Sequence, residues 1–451
     1  MNNFLKILVL VFLVGSFTAC EDNIEVVPQS ALDGAAGFKT KQDVDAALIG
    51  CYSALTSGNY MGLRTWALPD VYADNLIHTG TFPSFAQIAT RNILPNNAET
   101  TNMWQQIYTG INRANTVIAS APAVTDPSFN ANNAIGEARF LRAYHYFHLL
   151  TLYGGSPEGF NKGNGVGVPL ITTPTLSPGD AAPKARNSEA EVWALILEDL
   201  NFAVDNLANS NGNGRANKFA ATAMRARVHL FRGEWAQAEA DASAVLANTA
   251  YRLTPTASYS DIWLKKNTAE AILELQFDNV TTNAIAFFYY PTSLGGRNEI
   301  NSSTSLRDAH EAGDIRKDVN FSISPAGRTL KYTRVPGDDN VVMIRLAEMY
   351  LIRAEAAAQL NKGDAAQADL NAIRARAGLA PLTLATTEEI LNAILQERRL
   401  EFAHEGHRWT DLRRANKVAT VGITQDFRAL WPIPEREVLT SGSIITQNTG
   451  Y

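Results

Sequence analysis

The chain has 451 residues, 46% of them hydrophobic, enough to bury a sizeable core as two or three domains or as one long repeat unit. Its formal net charge is only −6, and no basic stripe interrupts the sequence, which argues against nucleic acid as a partner.

The N-terminus reads as an export signal. Met1–Lys6 carries one positive charge, and Ile7–Val14 is an unbroken apolar run too short to span a bilayer. The run ends in Phe17-Thr-Ala-Cys20, and cleavage before a cysteine is the lipoprotein pattern. Residues 1–19 are then a signal peptide, and Cys20 becomes the acylated lipid anchor; cleavage near Ala19 by an ordinary signal peptidase is the alternative. No other apolar run approaches membrane length, so the expectation is a chain anchored by lipid that does not span. Residues 20–37 contain Pro28, Gly34 and Gly37 with no apolar period and read as a tether. With Cys20 acylated, Cys51 has no partner. No disulfide framework is available, and Cys51 is expected to be buried on the first helix.

Thr40-Lys-Gln-Asp43 has the pattern of a capping box and opens a helix to about Ala54. Residues 57–97 follow as a long irregular stretch with Trp66, Tyr72, Asp74, His78, Phe82, Phe85 and Arg91. Such a stretch inside a compact protein is usually functional, although its aromatics could equally cover the helices beneath. Helices are expected over Asn102–Ser120 and Ala131–Tyr153. In the second, His145 and His148 lie one turn apart, but no third ligand is suggested and an aromatic-rich buried helix accounts for both. No metal site and no cofactor are expected. Gly154–Pro183 is a loop; its Gly163-Asn-Gly-Val-Gly167 has neither the preceding strand nor the following helix of a phosphate loop. Ser188-Glu-Ala-Glu191 caps a helix to about Leu207, and a helical hairpin follows over Ala216–Asn248.

Between Tyr251 and Asn340 the helical period disappears, and Ile272–Phe277 and Ala286–Tyr290 read as short strands. Arg345–Leu379 then reads as two helices folded back across Asn361–Asp364. Gly363 is expected to take the left-handed conformation and Asp364 to cap the second helix. Gly233-Glu-Trp-Ala-Gln-Ala-Glu matches Gly363-Asp-Ala-Ala-Gln-Ala-Asp, and each follows a helix with an Arg-Ala pair, Arg225-Ala226 and Arg353-Ala354. A glycine turn followed by W/A-x-x-A is tetratricopeptide-like, which favours a solenoid over a generic bundle. Thr386-Thr-Glu-Glu389 caps a last long helix. The chemistry-bearing cluster there is Glu397, Arg398, Arg399, Glu401, Glu405, Arg408, Asp411 and Arg413. Glu397, Glu401 and Glu405 repel as i,i+4 neighbours unless cations intervene, and Arg345, Arg353, Arg374 and Arg376 are available to do so. An ion-pair network is therefore favoured over acid–base catalysis, and His404-Glu-Gly-His407 lacks the i,i+4 histidine spacing of a zinc motif.

Taken together, these residues resemble the SusD/RagB family of outer-membrane lipoproteins from Cys20 nearly to Tyr451. The resemblance rests on the lipobox cysteine, Gly136-Glu-Ala-Arg-Phe-Leu-Arg-Ala143, Tyr153-Gly154 with Val168-Pro-Leu170, and Asp199-Leu200. It continues through Arg345-Leu-Ala-Glu348, Ala354-Glu-Ala356, Asn371–Gly378, Glu397-Arg-Arg, Glu405-Gly-His-Arg408, Asp411-Leu-Arg413 and Pro432-Ile-Pro434. Phe17 stands where a leucine is usual, and the tail reads Asn-Thr-Gly-Tyr451 instead of Asn-Pro-Gly-Tyr.

The resemblance implies a mainly α fold in which tetratricopeptide-like hairpins form a right-handed superhelical scaffold, with long irregular loops and a few short strands. An N-terminal region (38–250) and a C-terminal region (251–451) would then pack as one unit. It also implies a non-enzymatic, surface-exposed outer-membrane lipoprotein that captures glycans or other nutrients for a SusC-like TonB-dependent transporter. A lid that mainly binds the transporter, or a lipid-anchored hydrolase, are the alternatives. A sugar site needs flat aromatic faces and a few charged or amide groups on a shallow surface. The residues of the two irregular stretches that fit are Trp66, Tyr72, Asp74, Phe82, Phe85, Arg91, Phe288, Tyr289, Tyr290 and Arg297.

Overall fold

The three capping boxes read from the sequence start three helices. In the computed structural model, which describes residues 38–451, Thr40, Ser188 and Thr386 each accept from the backbone N–H three residues on. The acid at that position answers the cap residue's own N–H, so two orphan donors are satisfied at each helix start. The signal peptide, Cys20 and the tether lie outside the described residues.

The helices so started are α1 (Lys41–Thr56), α6 (Glu189–Asn206) and α15 (Thr387–Glu401). With them, α4 (Ala98–Ser120), α5 (Ala131–Tyr153), α7 (Lys218–Arg232), α8 (Trp235–Leu246), α13 (Leu346–Gln359) and α14 (Gly363–Arg376) make the scaffold. Each packs on its chain neighbour: α4 on α5, α5 on α6, α7 on α8, α13 on α14. The solenoid also continues between helices distant in sequence, because α8 packs directly on α13. Small residues permit this, since Ala238, Ala242, Ala354, Ala356, Ala357 and Ala358 are all buried and let helix axes approach closely. Cys51 is buried on α1, as expected, and burial pushes its thiol up to about 12.

The repeat is real, but its register differs from the sequence match. Arg225 grips Asp241 at 2.7 and 2.8 Å, and Arg353 grips Asp369 at the same two distances. Gly233 is left-handed at φ 71°, and its counterpart at the same 128-residue offset is Asn361, left-handed at φ 60°. Gly363 therefore does not end α13, as the sequence suggests; it opens α14, and Asp364 sits in the first turn without capping it. Asparagine tolerates this conformation better than most residues, so it can do the turn's work and leave the glycine free.

The two irregular stretches contain more structure than periodicity reveals. The first holds α2 (Arg64–Tyr72), β1 (Leu76–His78) and α3 (Pro83–Ala89). The second holds α9 (Asp261–Leu264), β2 (Ala271–Leu275), α10 (Ile285–Tyr289), β3 (Ile300–Ser302), α11 (Thr304–Asp308), α12 (Arg316–Asn320) and β4 (Val341–Arg345). Ala286–Tyr289 is thus helical where a strand is expected over Ala286–Tyr290, and Tyr290 is the extended residue that ends the turn. The Asn283 side chain, which donates to the carbonyls of Gly337 and Asp339, accepts from the Ile285 N–H and starts the turn. A five-residue apolar run cannot be assigned by period alone. Strand β2 pairs antiparallel with β4, which runs straight into α13 and so fixes Arg345 at the junction. Helices α16 (Arg408–Arg414) and α17 (Glu435–Thr440) complete the chain. The tail is docked: Asn448 donates to the carbonyls of Tyr153 and Trp431, and the Tyr451 hydroxyl donates to that of Leu430.

Candidate functional site

The two irregular stretches meet as a two-stranded sheet whose strands lie more than 200 residues apart in the chain. Strand β1 pairs antiparallel with β3, with Leu76 opposite Ser302, Ile77 opposite Asn301 and His78 opposite Ile300. Just past this pairing, Glu299 organises the corner. Its carboxylate accepts from the Phe82 N–H at 2.6 Å and from His78 Nε2 at 2.9 Å, and its carbonyl accepts from the N–H groups of Thr79 and Gly80. Burial raises the Glu299 pKa, but the Phe82 N–H, His78 and Arg297 outweigh it and hold the carboxyl below the usual range. A Cβ at position 80 would sit 2.2 Å from a Glu299 carboxylate oxygen, so any side chain larger than glycine's would push that carboxylate off its partners.

This corner presents an aromatic cluster. The Phe82 and Phe85 rings lie 6.1 and 5.7 Å from that of Phe288, and the Phe287 ring lies 5.9 Å from it at 69°. The Arg297 guanidinium stacks 3.9 Å over the Phe82 ring while its Nε lies 3.5 Å from Glu299. The loop is locked by its backbone, since Arg297 N–H donates to the Phe287 carbonyl at 2.7 Å and Glu299 N–H to that of Phe288 at 2.8 Å. Phe82 and Phe288 are half-buried, and Arg297 and Phe287 are exposed. The arrangement offers ring faces, a cation and a locked backbone on a shallow surface, which suits a ligand with one apolar and one polar side.

Of the ten residues singled out from the sequence, Phe82, Phe85, Phe288 and Arg297 come together, with Phe85 as the buried floor. The other six stand elsewhere. Trp66 is buried and lines a small internal cavity together with Tyr144, His148 and His407. Tyr72 lies in the core with its ring 4.6 Å from that of Trp409, and its hydroxyl donates to the Arg428 carbonyl. Tyr289 points inward to His404 Nδ1 at 2.9 Å, and Tyr290 is buried. None of these four rings offers a free face. Asp74 is held by Arg408 at 2.7 Å and Arg399 at 3.0 Å, and Arg91 donates to the Ala73 carbonyl. Glu299, Gly80 and Phe287 were not singled out. Phe287 could have been found as the neighbour of Phe288, whereas Glu299 carries no local signal because its partners lie in the other stretch.

The acidic cluster is a network. Arg316 bridges Glu397 at 2.6 Å and Glu401 at 3.2 Å, and Arg345 bridges Glu401 and Glu405, so a cation stands between each i,i+4 pair. Lys331 meets Glu405 at 2.6 Å, Arg376 meets Glu401 and Glu270, and Arg374 reaches Glu397 at 3.5 Å. Arg353 is the exception among the arginines expected there, since it is taken by Asp369. Burial acts to raise Glu401, but Arg376, Arg345 and Arg316 hold its carboxyl far below the usual range, which leaves it no basicity to use. His145 and His148 both pack on Tyr60, and no group of three or more metal-ligating side chains occurs among the described residues.

Residues 22–230 match a family profile described as "Starch-binding associating with outer membrane", and residues 315–451 match that of the SusD family. The chain is 26% identical to a SusD-like protein, P38, of Formosa agariphila, over all of this chain and 99% of that one. A SusD superfamily protein from Bacteroides thetaiotaomicron superposes with a TM-score of 0.78 at 25% identity, covering 91% of this chain and 99% of that chain. A protein described as a laminarin-binding SusD-like protein does so with a TM-score of 0.76 at 26% identity, covering 92% of this chain and all of that one.

Proposed function

Because the chain belongs to the SusD/RagB family, we propose that it is a lipid-anchored glycan-binding protein of the outer membrane, facing the cell exterior. In this reading it captures oligosaccharides and delivers them to a SusC-like TonB-dependent transporter, without catalysing any reaction on them. Cys20 is the anchor. Phe82, Phe288 and Arg297, with Phe287 beside them, form the capture surface.

The observation that carries the proposal is the Arg297–Phe82 stack. Stacking flattens the guanidinium against the ring and leaves its outward N–H groups free for hydroxyls, while Phe288 supplies an apolar face beside it. The laminarin-binding relative supports a polysaccharide as the ligand class. Support for a non-enzyme comes from the network, whose carboxylates are each engaged by Arg or Lys.

The test is binding of the purified protein to a panel of labelled neutral oligosaccharides, including starch and laminarin fragments. The proposal expects at least one ligand whose affinity falls about tenfold or more in Phe82→Ala, equivalent to about 1.4 kcal/mol. Binding undiminished in Phe82→Ala and Arg297→Ala would remove this surface from the reading. No binding across the panel would favour a lid whose main surface meets the transporter.

A further inference from the structure

A second groove, sharing no residue with the aromatic corner, lies between α4, the loop 169–184 and α17, and has a volume of about 890 Å³. That is within the span of small-molecule sites and large enough for several linked sugar rings. Its wall is Tyr108, half-buried, with its ring 5.1 Å from that of Trp104 and its hydroxyl fixed on the Pro169 carbonyl at 2.8 Å. Arg113, Lys184 and Arg436 stand around it, all exposed. Among the described residues none of the three has a carboxylate partner, and only Arg113 is otherwise engaged, donating to the Gly50 carbonyl at 2.6 Å. The Gln105 side-chain amide is likewise unengaged among the described residues.

Two carboxyls share the groove. Asp180 is committed to its own turn, accepting from Ser177 and from the Leu176 N–H. Glu437 is half-buried beside Arg436, which partly offsets its charge. The groove is therefore cationic on a chain whose net charge is −6.

We infer that this groove is a second binding site, and that it takes a carboxylate-bearing oligosaccharide of the uronic-acid type. Lys184 and Arg436 would meet the carboxylate and Gln105 the hydroxyls, with a sugar ring against Tyr108. A bidentate guanidinium suits a carboxylate, and Tyr108 gives the apolar face of the ring a partner. Hydrogen-bonded amides and aromatic walls alone would serve a neutral sugar; the two uncommitted cations, Lys184 and Arg436, select the acidic class. The inference takes the polymer class from the reading above and does not depend on the aromatic corner.

Titration of the protein with oligogalacturonate, and with the same oligosaccharide methyl-esterified, tests it. Binding of the acid form, at least tenfold weaker for the ester and weakening as salt is raised, is expected. Lys184→Gln with Arg436→Gln should reduce it tenfold or more, Lys184→Arg should retain it, and Phe82→Ala should leave it unchanged. Both cations are exposed, so the double variant should fold, which an unaltered melting temperature verifies. No binding of oligogalacturonate, equal binding of acid and ester, or indifference to the double variant would each overturn the inference. Loss in Phe82→Ala alone would assign the acid sugar to the corner and also overturn it.

Discussion

The junction beneath α13–α15 and the corner around Phe82 are both made from residues far apart in sequence, yet they use opposite means. The junction buries arginines and glutamates in a closed set of charge-assisted bonds, with Arg316, Arg345 and Glu401 almost without solvent access. The corner keeps one carboxylate, Glu299, inside to tie down its loops, and leaves Phe287 and Arg297 in water. A buried charge is tolerable only when every partner is in place, so the junction is all-or-none. A stacked cation at the surface can exchange one partner for another, and that freedom is what a binding surface needs.

The contrast breaks most visibly at Arg345. Truncation to Ala strands Glu401 and Glu405 in a dry site, and a loss of about 3–5 kcal/mol in unfolding free energy is expected. Denaturant unfolding measures it, and a loss under about 1 kcal/mol would mean that the network carries little stability. Glu401→Gln should behave similarly, because it leaves Arg345 and Arg376 short of a counter-charge.

Acid should loosen the same junction. Glu401, Glu405 and Asp411 are all held below their ordinary range, and Asp314 is brought to about 2, because nearby Arg, Lys and His side chains outweigh the effect of burial. A lowered folded-state pKa contributes stability above the unfolded value and loses it as pH falls through the folded one. The melting temperature should therefore drop as pH falls from about 4.5 toward 2. Asp70 runs the other way. Burial pushes it up to about 7, against hydrogen bonds from the His404 N–H, Asn75 and the Arg408 N–H, so its share declines as pH rises from about 4 to 7.

A smaller effect sharpens the repeat. Arg225→Ala and Arg353→Ala remove equivalent, half-buried bidentate pairs, and each should cost about 1 kcal/mol. Unequal losses, say 0 against about 3 kcal/mol, would argue that the two hairpins are not equivalent units. Phe82→Ala should cost a similar amount, about 1 kcal/mol, because its ring is only half-buried.

How much of this was legible depended on distance along the chain. Capping boxes and helical period are local, so Thr40, Ser188 and Thr386 were found and Ala131–Tyr153 was bounded correctly. The repeat was legible too, but matching glycines placed it two residues out of register, because Asn361 can do what Gly233 does. The repulsion of Glu397, Glu401 and Glu405 implies the network, yet two of its cations, Arg316 and Lys331, come from a stretch without period. The candidate surface was the least legible. Both irregular stretches stand out for their aromatics, but nothing in composition separates Tyr72, turned onto Trp409, from Phe82, turned outward under Arg297. Long-range partners make the difference: Trp409 and Arg428 for Tyr72, and for Phe82 the β3 side of the sheet that β1 joins.

If the Phe82–Phe288–Arg297 corner captures glycan while the junction serves structure alone, one pair of variants separates the two. The most direct measurement is the affinity of one neutral oligosaccharide ligand, found in the panel, for the protein and for Phe82→Ala and Arg345→Ala side by side, each assayed well below its melting temperature. A loss of about tenfold or more is expected for Phe82→Ala with its melting temperature lowered only slightly, and unchanged affinity for Arg345→Ala with its melting temperature lowered much further. Full affinity in Phe82→Ala, or a loss of affinity in Arg345→Ala as large as that expected for the corner, would sink this division of labour.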